Sequence, residues 1–387
     1  PTCRSASLRS RHPRLVSNRC SEQVSTLKWR SAFASICHLR SAWNFAVQRA
    51  IGWGWTIQAA YVGSKGTNLF GGNYDLNQID PQHYALGLAL QDQVSNPFFG
   101  QIESGGLSGR TVARSQLFRP FPDYLTVSTW ANANLSSIYH SLQLSAEKRF
   151  SNGLSLLASY TKAKLISECF AIGGGNSGGS CEGEYRLGRF DRSLDRAIDQ
   201  DDISDRFVIS GVYELPIGRG KSLLRDVHPV VNGILGGWQV NGIGTFQVGT
   251  PLAVRGSNNF TGIPYPDVIR DPTLPDSERT PVRWFDTEAF RNPADFTIGN
   301  APRTLPKTRG PGLTDVSFSL FKTFQIRERM RLEARGELFN ALNTVNYNEP
   351  NVSFSPNRQG ENVNANFGRI TSALDARRMQ LGLRLTF

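Results

Sequence analysis

The last ten residues of the chain, Arg378 to Phe387, alternate with a period of two. Met379, Leu381, Leu383, Leu385 and Phe387 fall on one face; Arg378, Gln380, Gly382, Arg384 and Thr386 fall on the other. Successive side chains of a strand point to opposite sides, so this segment is a β-strand with one apolar and one polar face. Ten such residues extend about 33 Å, well beyond the usual edge strand of a small domain. Any fold the chain adopts must cover that long apolar face.

A lipid bilayer covers it without further protein. A strand that crosses an outer membrane needs about 9–11 tilted residues, apolar towards lipid and polar towards a lumen. The terminal Phe387 resembles the end of outer-membrane β-barrels, where the assembly machinery reads a closing aromatic. The resemblance implies that Phe387 is an assembly signal and that the barrel-assembly machinery is a partner. Hydrophobic residues make up 39% of the 387, and no apolar run approaches the roughly 18 residues of a membrane helix. That excludes a helical membrane protein but not a barrel, whose lipid-facing residues are diluted one to one.

The net charge of +11 suggests nucleic acid until it is localised. Residues 1–40 hold Arg4, Arg9, Arg11, Arg14, Arg19, Lys28, Arg30 and Arg40 against the single acid Glu22, a net of +7. The rest of the chain is nearly balanced, and no nucleic-acid module follows the basic segment. The expectation is no nucleic-acid partner. The same segment carries Cys3, Cys20 and Cys37 at spacings that suit no zinc pattern, has no signal-peptide layout, and shows no period. We expect 1–40 to be a disordered or non-native basic segment and 41–387 to be the functional domain.

From Ser41 onwards the two-residue period recurs. Trp43, Phe45 and Val47 share a face, as do Trp55, Ile57, Ala59 and Tyr61 after a Gly-rich turn. Leu142, Leu144 and Ala146 precede Ser151-Asn152-Gly153, a strong hairpin signal because Asn and Gly tolerate positive φ, and Leu154, Leu156, Ala158 and Tyr160 follow it. Further runs start at Phe207, Trp238, Val316 and Leu332. Connections near 50–54, 151–153 and 325–330 are short, whereas 63–110, 165–205, 250–314 and 342–377 are long. Short periplasmic turns and long extracellular loops are the barrel pattern. Strict alternation requires further strands before Tyr139, with Thr111 to Phe118 a candidate, for about eleven in all. An odd count does not close a bacterial barrel. The expected fold is therefore an all-β, antiparallel transmembrane β-barrel, the C-terminal half of a larger one. Its lipid belt should carry Trp43, Trp55, Tyr61 and Tyr160 near the rims, where amphipathic rings favour the interface.

The loops offer few chemical groups. Cys169 and Cys181 bracket a glycine-rich run; a disulfide is the first reading, free thiols the second and a metal site the last. Asp191, Asp195, Asp199, Asp201, Asp202 and Asp205 read as a solvated acidic loop, since their spacing matches no EF-hand. Gly63-Ser64-Lys65-Gly66 reads as a turn rather than a phosphate loop, because no helix follows. The histidines His12, His38, His83, His140 and His228 form no metalloprotease motif, and no nucleophile elbow or Walker sequence occurs. No catalytic residue, cofactor site or metal site is expected, and no enzyme.

Several segments carry a family likeness. Trp43-Asn44-Phe45-Ala46-Val47-Gln48-Arg49, Ala60 to Thr67, Asp75-Leu76-Asn77-Gln78, Tyr139 to Gln143, Phe207 to Ser210 and Glu337 to Asn343 resemble the barrel of TonB-dependent receptors. The likeness is to the Oar-like type with a carboxypeptidase-regulatory-like N-terminal domain. It implies a barrel of about 22 strands with an N-terminal plug, located in the cell outer membrane, importing a large or scarce solute. Contact with the TonB complex would run only through an N-terminal part that these residues lack. A passive porin or adhesin barrel is the second reading, and a secreted carbohydrate-binding β-protein the third.

Overall fold

The computed structural model describes residues 39–69, 75–129, 135–168, 190–191, 193–327 and 330–387. Nine long strands form one antiparallel sheet in strict chain order. They are β1 (Leu39–Gly52), β2 (Trp55–Leu69), β3 (Leu135–Ser151), β4 (Leu154–Ser167), β5 (Asp205–Glu214), β6 (Trp238–Gln247), β7 (Leu313–Arg327), β8 (Met330–Phe339) and β9 (Arg378–Thr386). A two-residue strand, Ala197–Ile198, adds to the far end of β4. Among the described residues the sheet is open, with β1 and β9 at its edges.

Register makes the sheet two-faced. Phe45 lies opposite Tyr61, which lies opposite Leu142. Tyr160, Phe207 and Phe246 form another row, and Leu338 and Met379 extend the Phe318 row to the last strand. Directly opposed residues share a face, so the apolar faces read from sequence join into one surface. The reverse face is polar: Gln48, Gln58, Ser145 and Ser159 form one row, and Asn241, Ser319, Glu337 and Gln380 another. The apolar surface is open to its surroundings, with Leu381 78% and Leu383 77% exposed. A soluble sandwich would bury such residues against a second sheet. Among the described residues no second sheet of comparable size exists.

Two hairpins turn on residues with positive φ. Asn152 at 51° and Gly153 at 80° join β3 to β4, the primed geometry whose twist suits a hairpin. A Cβ on Gly153 would approach the Glu214 carbonyl to 2.7 Å, so glycine is required there twice over. Trp53 and Gly54 repeat the arrangement between β1 and β2.

The strand count corrects one expectation. Thr111–Ala113 is a three-residue strand paired to Gln93–Ser95 inside a loop, and Arg114–Leu117 is a helical turn. β2 pairs directly with β3, so 70–134 is one connection. Among the described residues nine long strands, rather than about eleven, satisfy the alternation. The β1–β2, β3–β4, β5–β6 and β7–β8 connections join strand ends on one side of the sheet, and the β2–β3, β4–β5, β6–β7 and β8–β9 connections join strand ends on the other. Gly63 to Gly66 is likewise no turn but the middle of β2. Trp43 lies against Gly63, where a Cβ would come within 2.3 Å of its ring, and Leu69 similarly covers Gly66.

The buried core lies in the long connections. Leu252, Val254, Phe285, Ala289, Phe290 and Leu305 from 248–312 pack with Phe354 and Phe367 from 340–377. Edge-to-face contacts tie them, with Phe285 and Phe367 ring centroids 5.2 Å apart at 79°. Leu144 sits near mid-strand on the apolar face, and Gln143 beside it faces the other way. Leu144→Arg should cost about 2–4 kcal/mol at mid-bilayer depth, whereas Gln143→Arg should cost little. Urea unfolding of the complete barrel in vesicles would measure both.

Candidate functional site

The long connections fold into a cap, and buried asparagines replace the hydrogen-bond ladder that irregular backbone lacks. Asn77 is fully buried. Its Nδ2 donates to the carbonyls of Phe121 (2.8 Å) and Tyr124 (2.6 Å), while its Oδ1 accepts from the Phe121 amide (2.8 Å). Asp75 Oδ1 accepts from the amides of Asn77 (2.8 Å) and Val127 (3.1 Å), and Arg119 donates to the Asn77 carbonyl (3.0 Å). Asn96 does the same between Leu107 and Gly109, both at 2.7 Å. At the far end of β8, Asn340 takes φ 48° and donates to Thr344 at 2.9 Å. Each carboxamide satisfies donors and acceptors that would otherwise be buried without partners.

A polar clamp joins the cap to the strand ends. Arg303 is buried, and its Nη2 donates to the carbonyl of Ser167 at 2.7 Å and to Ser167 Oγ at 2.9 Å. Ser167 Oγ in turn donates to Asp199. Arg309 Nη2 meets Asp202 Oδ2 at 2.5 Å, and its Nη1 donates to the carbonyls of Asp202 (2.8 Å) and Gly249 (3.0 Å). Asp202 Oδ1 accepts from the Leu165 amide at 2.6 Å. Thr304 donates to the Ile198 carbonyl at 2.5 Å, and Thr250 donates to Glu349. Connection 248–312 is thereby fastened to β4, to 190–204 and to 340–377.

This overturns the expectation of a solvated acidic loop: Asp195, Asp199 and Asp202 are buried. Arg309, which pairs with Asp202, and Arg303, which meets Ser167 on Asp199, lie about a hundred residues later, beyond any local pattern. Burial and the nearby Asp199 and Glu349 raise the Asp201 carboxyl above its usual range. Asp286 goes the other way: the Arg270 guanidinium at 2.6 Å lowers it, helped by the Glu288 amide and Arg283. Asp271 is lowered by the Thr273 hydroxyl and amide and then by Lys307.

Aromatic side chains stand out from the cap. Phe99 carries Arg110 5.4 Å above its ring; Phe121, Tyr124 and Phe260 are exposed. Phe260 stacks on buried Phe296 with centroids 5.3 Å apart, and both hold positive φ, 64° and 58°. Such backbone in a bulky residue costs of order 1–3 kcal/mol and persists only where its surroundings impose it. These rings are the cap's candidate contacts for a solute.

The aromatics expected at the rims take definite places. Trp43 lies in the row of Gly63 and His140. Tyr61 bonds His140 Nδ1 through its hydroxyl at 2.7 Å, and the two rings stack with centroids 6.1 Å apart. Tyr160 donates to Asp205 at 2.5 Å at the cap end of β5. Trp55 begins β2 beside the short turn. Phe387 follows β9 at the same end and is exposed. Cys169 and Cys181 lie outside the described residues. Among the described residues no group of three or more His, Cys, Asp or Glu side chains is placed to hold a metal ion.

The family model for the outer membrane beta barrel domain matches residues 32–380. The chain belongs to that family. It is a barrel chain of the cell outer membrane. Among solved structures, the outer membrane transporter YddB from Escherichia coli aligns with 90% of this chain and 32% of its own, at 9% identity and a TM-score of 0.43. The ferripyoverdine receptor of the Pseudomonas aeruginosa outer membrane, bound to ferripyoverdine, aligns with 90% of this chain and 27% of its own, at 10% identity and a TM-score of 0.34. The chain thus spans about a third of the transporter's length. No curated protein matches it.

Two outcomes follow from the cap. Arg309→Ala strands the buried Asp202 charge, a loss of about 3–5 kcal/mol. Amide exchange should accelerate across 198–202 and 249–252 while the mid-strand amides of β3 stay protected. The depressed Asp286 carboxyl stabilises the folded 267–291 segment above the unfolded value of 3.8, and that contribution is lost as pH falls through the lower folded value. Proteolysis of 267–291 should therefore rise on acidification below about pH 4, and Asp286→Asn should start more susceptible at neutral pH and rise less in acid, with Asp271 supplying the remaining rise.

Proposed function

We propose that the chain is the barrel portion of an Oar-like TonB-dependent receptor that takes up a large or scarce solute. The observation that carries this reading is the cap. Long connections at one end share a buried aromatic core, are fastened to the strand ends through Arg303 and Arg309, and present Phe99, Phe121, Tyr124 and Phe260 outward. A passive pore gains nothing from an ordered, aromatic-tipped entrance, whereas a receptor that binds before it transports needs one. The segments that resemble this receptor type also have work in the cap: Asp75 and Asn77 knit one connection, and Asn340 opens another.

In this reading the short connections are periplasmic and the cap is extracellular. Trp43 marks the outer rim and Trp55 the inner, while Tyr61 and Tyr160 stand in the rows of Leu142 and Leu144 with their hydroxyls on His140 and Asp205. From Trp55 to the row of Trp43 is eight residues along β2, about 26 Å of strand or about 20 Å of bilayer depth at a 40° tilt. Phe387 serves barrel assembly at the inner rim. Further strands from the complete protein pair with the open edges of β1 and β9, because unpaired backbone cannot face lipid. Energy coupling runs through a plug and a TonB box outside these residues.

Conductance separates this reading from a passive pore. The complete protein, reconstituted in a planar bilayer in potassium chloride, should show no steady current while its plug is in place. Removing the plug should open one. Stepwise conductance of the intact protein would establish a passive porin instead.

A further inference from the structure

The apolar face of β7 is interrupted once. Val316, Phe318, Leu320 and Phe324 keep the period, but the position between the last two is Lys322. Register places it on the lipid side, opposite Trp238 and Ala334. The side chain is buried, its Nζ donates to the Gly236 carbonyl, and the ring centroids of Trp238 and Phe324 lie 5.3 and 5.0 Å away. An ammonium has three protons, and the Gly236 carbonyl takes one of them.

Beside Lys322 runs a groove of about 870 Å³, open on one side. Ala334 and Gly336 form a shallow line along β8, flanked by Leu320 and Phe324 of β7 and by Leu381 and Leu383 of β9. The groove ends near the first residue of β6 and the short helix Pro229–Leu235, whose Ile234 lines it. Val230 and Ile234 of that helix are each 64% exposed, as expected of apolar side chains dipping into a bilayer rim. The volume lies within the usual range for a small-molecule site.

The occupant must match both parts. A hydrocarbon chain alone leaves the ammonium without a counter-ion, at a depth where a lone charge is costly. A water-soluble anion has no use for the groove. We propose that this site seats one glycerophospholipid of the inner leaflet, with its phosphate on Lys322 and an acyl chain along Ala334 and Gly336. Lipid A belongs to the opposite leaflet, beyond the reach of a site at the short-turn rim.

Native mass spectrometry of the complete protein, released from detergent after incubation with phosphatidylglycerol, tests this. The wild-type protein should retain one phosphatidylglycerol and at least fivefold less diacylglycerol of the same chains. Lys322→Gln should retain at least fivefold less phosphatidylglycerol, and Lys322→Arg should keep it. Gly336→Leu should lose it by filling the groove; a Cβ there meets only Leu381, at 3.5 Å, so the strand accommodates the change. Heat-modifiable migration identifies the folded variants, and should Lys322→Gln not fold, Lys322→Arg and Gly336→Leu decide. Equal retention by wild type and Gly336→Leu, equal retention of diacylglycerol, or displacement of phosphatidylglycerol by lipid A would overturn the assignment.

Discussion

In hydrocarbon a backbone amide or carbonyl without a partner costs several kcal/mol, so a chain can cross only where its main chain is fully paired. The nine-strand ladder meets that demand through its interior strands, and everything else follows from its register. A slip of one residue between any two strands would move a whole apolar row to the lumen side. The rows that join Phe45 to Leu142 and Phe318 to Met379 show no such slip across the wall. Irregularities are confined to strand ends, at Ala50/Gly52, Gly66/Leu69, Lys148/Ser151 and Gln325/Arg327. The register sets which face is apolar, and the antiparallel chain order sets which ends the connections leave from.

Hydrophobic burial is accordingly inverted relative to a water-soluble protein. The strands expose their leucines and the connections hide their phenylalanines. Long connections fold into a body because the strand ends bring them together and because aromatic clusters such as Phe285, Phe290 and Phe367 exclude water from between them. Burying one such side chain is worth roughly 1.5–3 kcal/mol, which offsets the ordering of only a residue or two of irregular backbone. The buried asparagines and the arginine clamp are needed for that reason.

The wall was legible in the sequence and the cap was not. Alternation is local, so Trp43 to Val47 or Arg378 to Phe387 each announce their two faces unaided. The Asn152-Gly153 turn does the same. The two surplus strands, Thr111 to Phe118 and one more before Tyr139, fall within the single connection between β2 and β3; Val112 does enter a strand pair, but with Val94 inside a loop. The acidic run at 191–205 misled because Arg303 and Arg309 reach it from a hundred residues away. Lys322 left a visible trace, a single gap in the apolar period of β7, whose meaning depended on Trp238 and Gly236 from the preceding hairpin partner.

The long connections are held to the cap by different chemistry. Connection 248–312 is held at its base by Arg309 on a carboxylate whose side chain is 1% exposed. Separating that pair would leave a bare charge in a dry site. Connection 70–134 meets the same body through an apolar cluster, Tyr84, Leu90 and Phe296, with Phe118 and Ile298 around it. Apolar contacts are non-directional and tolerate sliding, whereas a paired charge holds one geometry. The stacked Phe260 sits beside that apolar contact, in the same connection as Phe296. Phe260 and Phe296 both belong to the clamped connection, so a displacement of the Phe260 ring passes to 70–134 through Phe296 and its contacts with Tyr84 and Leu90.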